Sequence, residues 1–157
     1  MGTRAPHDYV AYCGLSCKLC SLIATLPRQA GQLLETMKDD GWERFGDQIY
    51  EGFSKFWEVL NSLAVTDQSS PLCIGGCGNP ECEIRKCAVE RGLQVCAFCP
   101  DFPCELILSF TRRYPFLMKN NERIRESGID AWLAEQDELL AQGITNSSLA
   151  RQKPPEA

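Results

Sequence analysis

The chain has 157 residues, 44% of them hydrophobic and 24% charged, the composition of a globular protein with room for one modest core. Twenty-one acidic side chains against 16 basic ones leave a net charge of −5, which argues against a nucleic-acid binder, because phosphate neutralisation needs a clustered basic face. Arg112, Arg113, Lys119, Arg123 and Arg125 do cluster, and they read as a solvated helix face.

The first fourteen residues, MGTRAPHDYVAYCG, hold no apolar run of signal-peptide length, and no later stretch could span a membrane. A cytoplasmic protein is expected. Gly2 opens a partial myristoylation pattern that fails at Pro6, where Ser or Thr is required. Gly14 suits a tight turn, and residues 16–25 read as a helix start. Pro27 opens a second helix with Ala30, Leu33, Leu34 and Met37 at helical spacing, ended by Gly41. Asp47 is placed to cap a third, in which Ile49, Tyr50, Phe53, Phe56, Trp57, Leu60, Leu63 and Ala64 form a broad apolar stripe that reads as core. "TDQSSP", residues 66–71, is a linker by composition. Asn79 and Pro80 look like the cap and first turn of a helix that Gly92 ends. Asp101 and Pro103 open another carrying Leu106, Ile107 and Phe110, which stops near Tyr114–Pro115. Two more follow, 116–126 closed by Gly128 and 130–142 closed by Gly143, with Trp132, Leu133 and Leu140 as the buried face of the last.

The fold class expected is mainly α: a small helical domain organised around cysteine-ligated metal sites, with little or no sheet. One domain spans 9–143, made of N-terminal helices over 9–65, a cysteine-dense metal-binding segment over 72–104 and C-terminal helices over 103–143. Flexible ends are expected at 1–8 and 144–157, where no periodicity appears.

Ten cysteines carry the functional signal: Cys13, Cys17, Cys20, Cys73, Cys77, Cys82, Cys87, Cys96, Cys99 and Cys104. A reducing compartment disfavours disulfides, so this density points to metal. Zinc and iron both accept thiolate sulfur, and two cysteines two or three residues apart can bind one ion from a single turn. Cys17–Cys20 and Cys96–Cys99 are such pairs. Cys104 falls in an expected first helical turn, where the dipole favours the thiolate. "CIGGCG" resembles a knuckle whose glycines let backbone N–H groups face sulfur. The single histidine, His7, lies in a polar arm, so the sites should be all-sulfur. Chain proximity would join the N-terminal trio to Cys104, and Cys77 to Cys87, Cys96 and Cys99.

Zinc in structural four-thiolate sites is the first reading of the metal, with an iron–sulfur cluster as the alternative. The spacing C-x3-C-x2-C is that of radical S-adenosylmethionine enzymes, but the helical pattern after Cys20 leaves no partial α/β barrel. Cys99–Pro100 is similar to the Cys-Pro that closes ferredoxin runs, at a different spacing. A thioredoxin-type reading of "CAFC" fails for want of a βαβ pattern.

The segments "YCGLSCKLC", "GC", "CEIRKCAVERG", "CAFCPDFPCEL" and "ERIRESGIDAWLAEQ" follow one another in an order that resembles an uncharacterised prokaryotic family, the domain of unknown function 3795. The resemblance covers about residues 9 to 137. It implies a small helical, cysteine-rich protein suspected of binding metal, with Cys13, Cys17, Cys20, Cys77, Cys82, Cys87, Cys96, Cys99 and Cys104 at the family's cysteine positions. Two departures stand out: Ser16 where members tend to have an acidic residue, and three residues between Cys73 and Cys77 where two are expected. The second leaves Cys73 off the family's cysteine positions, while the cysteine density still makes it a candidate metal ligand.

Chemistry beyond the cysteines is sparse. No phosphate-cradling glycine loop precedes a helix in the required context, and no second histidine exists to serve a nucleophile. Asp39–Asp40 and Glu81–Glu83 read as surface carboxylates, Asp101 as a helix cap, and Arg85–Lys86 as exposed helix charge. With no catalytic constellation, the expectation is a metal-binding interaction module with a protein partner, no nucleic acid and no membrane, rather than an enzyme. A thiol enzyme using a spare cysteine such as Cys73 is the third class, and it predicts one thiol that alkylates much faster than the rest.

Overall fold

A computed structural model of the chain describes residues 4–65 and 71–152. Most of the expected linker and the outermost parts of both expected flexible ends, residues 1–3 and 153–157, lie outside that range. The chain divides into two compact units, Ser21–Ser70 and the remainder. The described residues are mainly helical, and the one β feature among them is an isolated antiparallel bridge between Val10 and Ser16. None of the described helices is long and apolar enough to cross a membrane.

Among its described residues, the unit Ser21–Ser70 holds four helices: α1 (Ser21–Ala24), α2 (Leu26–Asp39), α3 (Trp42–Ile49) and α4 (Phe53–Ala64). Pro27 sits in the first turn of α2, where its missing N–H costs nothing. Ala30 and Leu34 of α2 and Leu60 of α4 form the core, with Met37, Trp57, Leu63 and Ala64 packed against it. The periodic pattern predicts one stripe from Ile49 onward, but the structure breaks it. Ile49 ends α3, Tyr50 follows it, and the helical period restarts only at Phe53. Phe53 is therefore buried, while Ile49, Tyr50 and Phe56 are 55%, 60% and 43% exposed. Asp47 is not the N-cap expected of it: it lies within α3, and Gly52 is the N-cap of α4, although Asp47 Oδ1 accepts the Ser54 N–H in the first turn of α4 at 3.0 Å.

The other unit carries 3-10 turns at Pro6–Tyr9, Cys17–Leu19, Cys73–Gly75 and Cys96–Phe98. Its helices are α5 (Glu83–Glu90), α6 (Glu105–Thr111), α7 (Leu117–Ala141) and α8 (Asn146–Arg151). Val10, Val95, Ala97, Ile124, Ile129, Trp132 and Leu133 make its core. The two C-terminal helices expected on either side of Gly128 run as α7 with a break there, where Gly128 has φ 82° and ψ 168°. That backbone region belongs almost wholly to glycine.

Two parts of the expected flexible ends are ordered. At 144–157, Thr145 caps α8, accepting the Ser148 N–H at 3.1 Å. A helix this short shows no hydrophobic period, so the cap was its only sequence signal. At 1–8, Asp8 Oδ2 accepts the Ala5 N–H at 2.8 Å and closes the first 3-10 turn.

Residues 10–16 form a tight loop with Cys13 near its tip. Ala11 donates to the Leu15 carbonyl and Gly14 to the Ala11 carbonyl, each at 2.9 Å. Three amides then hold the loop from outside: Asn120 donates to the Gly14 carbonyl at 3.1 Å, Asn121 to the Cys13 carbonyl at 2.9 Å, and Asn146 to the Ser16 carbonyl at 2.8 Å. Gly14 (φ 91°) allows the close approach, since a Cβ there would lie 2.4 Å from the Asn121 amide nitrogen.

The Gly14→Ala variant is expected to lose about 3 kcal/mol or more, because backbone strain and collision add. Gly128→Ala meets nothing within 4 Å and should lose only the strain, about 1–3 kcal/mol. Urea denaturation of the two variants checks the order; an equal loss would contradict the clamp on Gly14.

Candidate functional site

All ten cysteines are free thiols, and all lie in the unit that holds the chain's ends. Three pairs flank 3-10 turns. Cys17 and Cys20 are joined by a Cys20 N–H to Cys17 carbonyl bond of 3.1 Å, and Cys96 and Cys99 by the same bond at 2.9 Å. The helix start expected at 16–25 therefore begins as a 3-10 turn, Cys17–Leu19, with Cys20 as its C-cap. In "CIGGCG" the glycine N–H groups close the turn, Gly75 to the Leu72 carbonyl at 2.9 Å and Gly76 to the Cys73 carbonyl at 3.1 Å, and so do not face sulfur.

Sulfur does receive backbone donors from elsewhere. The Leu15 N–H donates to Cys13, the Cys73 N–H to Cys17 and the Tyr12 N–H to Cys73. These bonds favour the thiolate, but burial outweighs them. Burial raises the Cys13 thiol far above the ordinary range and pushes Cys17 up to about 12. Neighbouring thiols oppose ionisation further: Cys73, Cys96 and Cys17 act on Cys13, while Cys73, Cys77 and Cys20 act on Cys17. Cys77 is raised by burial first and then by Cys73 and Cys20. Cys13, Cys17, Cys20, Cys73 and Cys77 thus interact with one another, and Cys96 reaches them through Cys13.

The second set is Cys87, Cys96, Cys99 and Cys104. Burial pushes Cys96 up to about 12, with Cys104, Cys99 and Cys87 adding to it. All four line one cavity, which Arg91, Phe102 and Ile107 also wall. Cys104 is the N-cap residue of α6, one position before the helical turn expected to hold it. It acts on Cys96 and lines the same cavity, while Cys77 interacts with Cys17, Cys20 and Cys73. The loop 72–79 folds back on residues 12–20. Cys82, the N-cap residue of α5, acts on Cys73, Cys77 and Cys96 alike.

Each set has an arginine. Arg85, read from sequence as exposed charge, is 9% exposed. Its guanidinium donates to the carbonyls of Cys73 at 3.3 Å, Cys77 at 3.0 Å and Asn79. No signal in the sequence separates it from Lys86, which is exposed and paired with Glu81. Arg91 Nη1 donates to Asp101 at 2.5 Å and to the Cys99 sulfur at 3.5 Å. Asp101 is thus a partner for Arg91, whereas the helix it was expected to cap starts at Glu105. Asn79 accepts the Glu81 N–H at 2.9 Å in a local turn, and its expected helix begins at Glu83. His7 stands apart from both thiol sets, between Asp130 at 2.6 Å and Gln94 at 3.1 Å.

The donor chemistry of both sets suits a thiophilic metal: sulfur only, partly desolvated, with N–H or guanidinium support. Among the described residues no group of three or more His, Cys, Asp or Glu side chains is placed to hold a metal ion.

The family model described as "Protein of unknown function (DUF3795)" matches residues 9–109, well over half of the chain. The match takes in all ten cysteines and ends before the "ERIRESGIDAWLAEQ" segment. No curated protein and no solved structure matches the chain. The chain belongs to the DUF3795 family.

Two outcomes follow for the reduced, chelator-treated protein. Thiols raised by folding stay protonated in the native state while the unfolded chain ionises near pH 8.5, so stability should be full at pH 7 and fall from pH 8.5 to 10, by about 1.4 kcal/mol per pH unit for each such thiol. Urea midpoints across that range test this, and Cys96→Ala should lower the slope by one thiol. Separately, Arg85→Ala strips the part-buried carbonyls of Cys73 and Cys77 and that of Asn79 of their donor and should cost about 1–3 kcal/mol; a neutral result would show that the loop 73–79 is held otherwise.

Proposed function

We propose that this member of the DUF3795 family is a metal-binding protein whose two thiol sets each hold a metal centre, and that these centres brace a module for interaction with a protein partner. The observation that carries the reading is the division of reduced cysteines into two interacting sets, each with its own CxxC turn and its own arginine. Zinc is the metal that the first set's donor chemistry favours. Cys13 and Cys17 are each 7% exposed, Cys20, Cys73 and Cys77 are half-buried, and an all-sulfur donor set is that of a closed structural zinc site. Of its five thiols, four would serve.

A closed centre offers no open coordination position for substrate. Its contribution would be to folding: thiols from residues 13–20 and 73–77 would be tied together, and binding free energy becomes folding free energy. The chain's residues prepare this. Leu15, Cys73 and Tyr12 N–H groups orient sulfurs, and Arg85 holds the carbonyls of the turn. Because thiols raised by burial must lose protons to bind, affinity should fall as pH falls.

Protein purified without oxygen should contain tightly held metal, with zinc at the first set. Chelation should then lower the melting midpoint by roughly 10 °C or more, since each kcal/mol is about 2–4 °C at this size. Metal-free protein with an unchanged midpoint would contradict the reading.

A further inference from the structure

The unit Ser21–Ser70 carries aromatic surface that its core of Ala30, Leu34 and Leu60 does not absorb. Trp42 of α3, Tyr50 after it, and Phe53 and Phe56 of α4 wall one cavity of about 320 Å³, with Met37 and Glu51. Tyr50 and Phe53 lie near-parallel to Trp42, at 16° and 28°, their ring centroids 6.2 and 6.0 Å from it. Phe56 is tilted 50° to Phe53 at 5.8 Å. Phe53 is buried, but Tyr50 is 60% and Phe56 43% exposed, so the groove offers ring surface to solvent. Such exposure is unfavourable in water, and in a concave site it marks recognition.

Charge decides what the groove would take. Aromatic ring faces are negative, and a cation within about 6 Å of a ring centroid is attracted to them. The charged side chain on the wall is Glu51, an exposed carboxylate. The unit around it is acidic as well: residues 21–70 hold eight carboxylates against four Lys and Arg side chains, most of the chain's net charge of −5. The cation–ring contacts among the described residues fall on Tyr9, Tyr114 and Phe102 and leave these four rings out. A primary ammonium is strongly hydrated and brings three N–H donors, and a sugar brings several hydroxyls. Beside Glu51, the side chains of the wall offer such groups only the Tyr50 hydroxyl as a strong acceptor. A quaternary ammonium has no N–H to satisfy and asks for ring faces and a counter-charge. We propose that the groove walled by Trp42, Tyr50, Phe53 and Phe56 binds a quaternary ammonium group, its methyl groups on the ring faces and Glu51 as its counter-charge. The site lies outside both thiol sets and does not depend on the metal-binding reading.

The test is a titration of the full-length, isotope-labelled chain, followed through its tryptophan indole resonances. Choline should move the Trp42 resonance saturably and leave that of Trp132 in place. Its neutral isostere, with carbon in place of nitrogen, should bind more weakly by about tenfold or more. Tyr50→Ala should weaken choline binding about fivefold, and Tyr50→Phe should not, because it keeps the ring. Glu51→Gln should weaken it about threefold and flatten its salt dependence. Tyr50 and Glu51 are both exposed, so these changes spare the core, and far-UV circular dichroism checks that they do. A trimethyllysine peptide run beside choline separates the sources: tighter binding than choline assigns the ammonium to a protein side chain, weaker binding to a free small molecule. An isostere that binds as well as choline would overturn the proposal and leave an apolar groove only. A Trp42 resonance that answers to protein concentration instead of choline would also overturn it, by making a second copy of the chain the occupant, as would a resonance that answers to neither.

Discussion

The turns and loops that carry the sulfurs are short of regular hydrogen bonding, and where they are largely buried, over residues 10–17, their carbonyls need donors. The helices around them supply those donors from side chains. Asn120, Asn121 and Asn146 bind the carbonyls of Gly14, Cys13 and Ser16, and Arg85 binds those of Cys73, Cys77 and Asn79. Removing such a donor leaves a buried acceptor unpaired, which costs more than the bond itself contributes. The cysteine-bearing segments are therefore shaped by residues distant in sequence. Asn121 reaches Cys13 across 108 positions and Asn146 reaches Ser16 across 130. This is why α8, a six-residue helix in a stretch without periodicity, is ordered.

Charge sets the second condition. Burial opposes ionisation of Cys13, Cys17, Cys73, Cys77 and Cys96, and the thiols of each set oppose one another. Without a cation these five thiols favour the protonated state. Backbone N–H groups and two arginines already lean the other way, since each favours the thiolate. The arrangement is poised: neutral thiols keep the metal-free fold, and a bound cation would tip them to thiolates. Arg91 also couples Cys99 to Asp101, so the second set carries its counter-charge into the loop that leads to α6.

Much of the architecture was legible in the residues. Helical spacing located α2, α4 and the two halves of α7, and the punctuating glycines after them take positive φ where they end helices. The family was legible too, through the order and spacing of its cysteine motifs. What was hidden came from tertiary structure. Asp47 signalled a cap but not that α3 ends beside it, so one aromatic stripe became two segments with Tyr50 and Phe56 facing water. Arg85 and Lys86 are adjacent identical charges in sequence, and only the fold of the loop 72–79 puts one of them inside. Thiol grouping was least legible, because chain distance favours neighbours while the folded loops pair residues 13–20 with residues 73–77.

That grouping is the central claim, and metal-dependent protection of individual thiols measures it most directly. The reduced chain would be titrated with metal, pulse-alkylated, and each cysteine's labelling read by mass spectrometry. The account predicts two protection profiles, one shared by the cysteines from Cys13 to Cys77 that bind at the first centre, the other by Cys87, Cys96, Cys99 and Cys104 together. Cys104 gaining protection with Cys13, Cys17 and Cys20, or protection spread evenly over all ten thiols, would contradict it.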